Sequence, residues 1–150
     1  MTRPNRGLLL PLLLGVVPIT LLAFPLMHKT QTAIDVPEPG TDVPLSGLTY
    51  KGTLFEAKVT TARLERKSDA EADPVVAEWT FLGSNSDGQM HRVEIFVRLL
   101  DESGKQLEMF SKKFILRGGS HDQPCVVPMK VKAGTWKATR SVRIVTDWVS

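Results

Sequence analysis

The chain has one cysteine, Cys125, in 150 residues. An internal disulfide is therefore excluded, and so is an N-terminal lipobox, because Cys125 lies far from the leader. Charge is missing from the beginning of the sequence. Arg3, Arg6 and Lys29 are the only charged residues before Asp35. Glycine-rich phosphate loops and nucleophile elbows are absent, as is any long run with helical periodicity. The basic isoelectric point near 9.2 does not indicate nucleic acid. From Asp35 onward, sixteen lysines and arginines face sixteen acids, so the excess positive charge belongs to the leader.

What is present first is a membrane signal. Gly7–Met27 is 21 residues without a charge, rich in leucine and preceded by Arg3 and Arg6. A helix of that length spans about 31 Å, enough to cross a hydrocarbon core. Arginines on its N-terminal side favour a cytoplasmic N-terminus and an exported remainder. Pro11, Pro18 and Pro25 stand against an anchor because they weaken the helix, although neighbouring groups let membrane helices tolerate proline, and they suit a buried soluble helix badly. Residues 1–33 are expected to form an uncleaved signal-anchor, single-pass, with the domain in the periplasm or outside the cell. The alternative is a signal peptide cut near Thr30, Thr32 or Ala33, where no Ala-x-Ala site exists. Residues 34–47, with Pro37, Pro39 and Pro44, read as a proline-rich spacer reaching about 43 Å if polyproline-like.

Residues 48–150 read as the folded domain. Period-two alternation marks half-buried strands over Phe55–Lys67, Val75–Gly83, Val93–Leu99, Lys105–Leu116, Cys125–Val131 and Val142–Trp148. Asp101-Glu102-Ser103-Gly104 is a hairpin turn, and a short helical turn is expected around Trp136. Several short strands without a long helix predict an all-β, immunoglobulin-like two-sheet sandwich, with Trp79, Phe81 and Trp148 in its core.

Gly83-Ser84-Asn85, then Val93-x-Ile95-x-Val97-x-Leu99-Leu100-Asp101, then Gly104-Lys105 and Leu116-x-Gly118-Gly119 resemble the FxLYD-type domains of exported bacterial proteins. The likeness covers about residues 75–131. Val97 stands where that family has phenylalanine and Leu100 where it has tyrosine. The resemblance implies an immunoglobulin-like sandwich without catalytic residues.

Chemistry-bearing constellations are few. Ser120-His121-Asp122 has triad residue types, but consecutive residues cannot reach triad geometry. His121, Cys125 and His91 lack the further ligands of a zinc site. Asp69, Glu71 and Asp73 alternate as calcium ligands do, without the rest of an EF-hand. No catalytic residue, metal or cofactor is expected. The halves differ in charge, however: 104–150 carries nine basic and three acidic residues, and 35–103 carries seven and thirteen. Lys112, Lys113, Lys130, Lys132 and Arg143 are therefore candidates for a basic patch. Such a patch would take an acidic protein, an acidic glycan or anionic lipid headgroups. Equally, lysines on strand exteriors guard sheet edges. The expected function is a membrane-tethered, non-enzymatic interaction domain, or alternatively a secreted module binding an acidic partner.

Overall fold

A computed structural model describes residues 27–69 and 71–149. The apolar segment before Met27 lies outside the described residues. Among those described, no helix is long and apolar enough to cross a membrane.

The chain forms two antiparallel sheets. One contains β1 (Met27–Asp35), β9 (Ser141–Val149), β6 (His91–Leu100) and β7 (Gln106–Leu116), in that order. The other contains β2 (Asp42–Pro44), β4 (Glu56–Arg66), β5 (Val75–Asn85) and β8 (Gln123–Val131), with β3 (Thr49–Lys51) also pairing β4. Among the described residues one short helix, α1 (Ala133–Ala138), precedes β9.

Alternation dictates the core. Val93, Ile95, Val97 and Leu99 of β6 and Val142, Ile144 and Trp148 of β9 face Leu64, Ala77, Trp79 and Phe81 across the interior. Val127, Met129 and Val131 of β8 close it. Trp79 is fully buried, as its place in the pattern predicts, and its ring stacks on Phe81 at 6.2 Å. Gly83 faces inward beneath Leu116, whose Cδ2 would lie 2.7 Å from any added Cβ.

The expected domain boundaries need correction. Residues 27–35 form a full edge strand whose register runs from Met27–Val149 to Asp35–Ser141. Its inward positions are His28, Thr30, Thr32 and Ile34, so hydrophobic alternation is missing. Instead, Thr30 Oγ1 and Thr146 Oγ1 are hydrogen-bonded at 2.6 Å, and the Trp148 indole N–H donates to Thr146 Oγ1 at 3.0 Å. On this strand the half-buried Thr30 hydroxyl, bonded to the fully buried Thr146, stands where an apolar side chain would.

The proline-rich stretch is not a spacer either. Gly40 N donates to Leu64 O at 2.8 Å, Leu45 N to Thr60 O at 2.8 Å, and Val59 N to Leu48 O at 3.0 Å. Between them, β2 pairs Asp42–Pro44 with Arg63–Thr61, and Arg63 Nε donates to Asp42 Oδ1 at 2.7 Å. Pro44 is accommodated because β2 lies at a sheet edge, where one missing N–H leaves no partner unbonded. Leu48 is fully buried.

Candidate interaction surfaces

The five cations singled out in the sequence do not share one face. Lys113 and Arg143 alternate with inward residues and lie on the outer face of the β1–β9–β6–β7 sheet. Lys130 is exposed on the outer face of the opposite sheet, and Lys132 is exposed just beyond β8 at the start of α1. Lys112 pairs with inward-facing Ile95, so it sits on the inner side of the β7 edge, with its ammonium 5.8 Å from the Phe114 ring centroid. The charge division between halves also dissolves in the fold. The basic C-terminal half supplies β9, which lies between β1 and β6, and β8, which lies beside β5. Lys113 is the cross-strand partner of Glu94, and Lys137 pairs with Glu71 at 3.4 Å.

What survives is a pair. Arg143 lies directly opposite Arg98 across β9 and β6. Two like charges at that spacing repel, and neither arginine appears in an ion pair among the described residues. Around them the same outer face carries Phe96, Val145 and Met109, of which Met109 is 43% exposed. Beside this zone is a shallow groove of about 470 Å³ between Arg92, Glu94, Lys113, Ile115, Asp147 and Val149. Asp147 is mostly buried there, with Lys29 Nζ 3.8 Å from its Oδ2.

The other chemical candidates are dispersed. His121 and Asp122 are exposed on the loop after β7, while Ser120 accepts the Asn85 N–H at 2.9 Å through its carbonyl. Cys125 points into the core, fully buried, and burial pushes its thiol up to about 11. It is thus held protonated and unreactive. Glu71 pairs with Lys137, and Asp73 Oδ1 accepts the Ala133 N–H at 3.2 Å. Among the described residues no three potential metal ligands converge.

Sequence reasoning missed the feature that organises one end of the sandwich. Asn85, fully buried, donates through Nδ2 to Gln89 O at 2.8 Å and Leu116 O at 3.3 Å, and accepts the Asp87 N–H at 2.9 Å. Three loops are tied together this way: 52–55, 86–90 and 117–122. Glu56 N donates to Ser86 Oγ at 2.8 Å, and Gly119 N to Asp87 O at 2.8 Å. Any Cβ at Gly118 would collide with the Gly88 carbonyl, so the last two loops touch through backbone.

Asp87 also meets His91 Nε2 at 2.8 Å, and that hydrogen bond holds the Asp87 carboxyl below its ordinary value. His91 in turn stacks on Phe55 at 4.8 Å and meets Tyr50 edge-on at 5.5 Å. Tyr50 stacks on Trp148 at 6.2 Å and lies 5.8 Å from His28. Only the Gly-x-Asn pattern hinted at this arrangement. The rings come from five separate strands and loops, which no local pattern connects.

No protein-family model matches the chain, and no curated protein matches it.

Proposed function

We propose that this chain is a membrane-tethered domain on the extracytoplasmic side that works by binding rather than by catalysis. The observation that carries this reading is the junction at Met27: the uncharged 21-residue run ends where β1 begins. A signal-peptidase cut near Thr30, Thr32 or Ala33 would fall inside β1, opposite Thr146, Ile144 and Arg143. It would leave the β9 edge uncovered, which favours an uncleaved anchor over a secreted module.

The finer fold reading is an immunoglobulin-like sandwich. The order β4-β5-β8 corresponds to strands A, B and E of that fold, and β7-β6-β9 to C′, C and F. β1 occupies the place of strand G, so an N-terminal strand completes the sheet. Kinship with the FxLYD-type domains is part of the proposal and rests on the motif residues Asn85 and Asp101. Both organise loops: Asp101 Oδ1 accepts from Ser103 N at 2.9 Å, Ser103 Oγ at 2.7 Å and Lys105 N at 2.9 Å.

The outer face around Arg98 and Arg143 is the surface offered to an acidic protein or acidic glycan. Guanidinium pairs suit carboxylates and sulfates, whose bidentate hydrogen bonding also relieves the repulsion between the cations. The test is fractionation of cells expressing the full chain with a reporter after Ser150. Retention in membranes through a carbonate wash, with reporter activity only outside the cytoplasm, is expected. Release by the wash, or cytoplasmic activity, overturns the reading.

A further inference from the structure

Five large hydrophobic side chains are exposed among the described residues, and the three most exposed lie at one end of the sandwich. Leu54 is 95% exposed, Met90 63% and Ile115 51%, against 43% for Met109 and 37% for Val76. Leu54 is on the β3–β4 loop, Met90 on the β5–β6 loop, and Ile115 is at the end of β7. All three elements lie at the end of the sandwich where β1 starts, because Met27, Arg92 and Ile115 fall in one cross-strand row with Val149. Directly behind them is the aromatic cluster of Tyr50, Phe55, His91 and Trp148. Lys51, Arg92, Arg117 and the acid Asp122 are exposed around the same end.

We propose that this end of the sandwich, led by Leu54 and Met90, rests in the interfacial layer of the bilayer that the N-terminal segment crosses. The inference rests on the tethering reading above and adds an orientation to it. Its first support is chain length: no spacer separates the last residue of the apolar run from the first residue of β1. A strand hydrogen-bonded from its first residue to β9 cannot pay out chain, so the loops beside it are held at the membrane surface. Second is chemistry. Apolar tips backed by tyrosine and tryptophan, with three cations and one acid exposed around them, match the layered polarity of the interface, with hydrocarbon, aromatic belt and phosphate in succession. Third is rigidity. Asn85 and the close approach of Gly118 to Gly88 fix the loops, so Met90 is presented without ordering cost. The turn that carries Leu54 is closed by the Gly52 N–H donating to Phe55 O at 3.0 Å.

The experiment uses the full chain in vesicles of phosphatidylethanolamine and phosphatidylglycerol, with nitroxides on Leu54→Cys, Met90→Cys or Glu102→Cys. Cys125 is buried and its thiol protonated, so the label goes to the introduced cysteine; the unsubstituted chain is the control. Labels at Leu54→Cys and Met90→Cys are expected to collide more with oxygen than with an aqueous nickel chelate, and the label at Glu102→Cys the reverse. If all three are equally aqueous while the chain resists a carbonate wash, the docking proposal falls and the tether stands. If the chain also washes off, both fall. Dilution-sensitive spin–spin broadening at Leu54→Cys would put a second copy on this end and overturn the bilayer as its occupant.

Discussion

The two ends of the sandwich are built on different principles. At the end where β1 starts, the 86–90 and 117–122 loops are short and joined through the fully buried Asn85, and exposed Leu54 and Met90 lie on the 52–55 and 86–90 loops. At the other end, the connections 36–41, 67–74, 101–105 and 132–140 carry Glu38, Asp69, Glu71, Asp73, Asp101 and Glu102 alongside Lys67, Lys105, Lys132, Lys137 and Arg140. Their hydrogen bonds are mainly exposed, as in the Asp101 turn and the Lys137–Glu71 pair. A surface dense in charge of both signs stays in water, whereas a rigid apolar tip needs a cover. The polarity of the molecule runs along its strands, not between its sheets or between the halves of its sequence.

The comparison is broken most severely by removing β1. A chain beginning at residue 48 lacks β1 and β2 and exposes the β9 edge. That fragment, in which Thr146 alone loses the Thr30 hydroxyl and Trp148 loses its cross-strand neighbour His28, should aggregate or lose cooperative unfolding, whereas a chain beginning at residue 27 should keep a single urea transition. Equal transitions for both would show that β1 is dispensable and that residues 34–47 act as a spacer after all.

Next in size is the contrast between the two loop anchors. Asn85→Ala strands the Asp87 N–H and two carbonyls at a fully buried site and should cost about 2–3 kcal/mol in urea unfolding. Asp101→Ala loosens an exposed turn and should cost less. A larger loss at Asp101 would reverse the assignment of the rigid end.

The smallest effect is on pH dependence. A hydrogen bond from His91 lowers Asp87, and one from the Ser103 hydroxyl lowers Asp101, each below its ordinary 3.8. A carboxylate depressed in the fold contributes stability that is complete above the unfolded value and is lost as pH falls through the folded one. Stability should therefore drop below about pH 4. Asp87→Asn and Asp101→Asn should each flatten part of that drop. An acid limb of unchanged slope in both variants would mean neither bond matters to folding.

Six strands were legible in the sequence because each alternates apolar residues with polar ones, and burial follows that alternation in β4, β5, β6 and β8. The β6–β7 hairpin was legible from Asp101 and Gly104, whose φ of +82° requires glycine's freedom. β1 was not, because its inner face is threonine and histidine and its partner lies more than a hundred residues away. The 34–47 stretch misled for a related reason: proline suggests a spacer, yet an edge strand accepts it. The basic patch failed because alternation sends Lys112 and Lys113 to opposite sides and the topology puts Lys130 and Arg143 on different sheets. Only Arg143 acquired a charged neighbour of its own sign, in Arg98.

The most direct test of the account is the height of the domain above the bilayer, read by neutron reflectometry on the full chain in a supported membrane. Strands of about ten residues at about 3.3 Å each give a protein layer roughly 33 Å thick that begins at the headgroups, with no water gap. A fourteen-residue spacer would instead allow a gap of up to about 43 Å. A continuous layer is the predicted result, and a resolved water gap would contradict it.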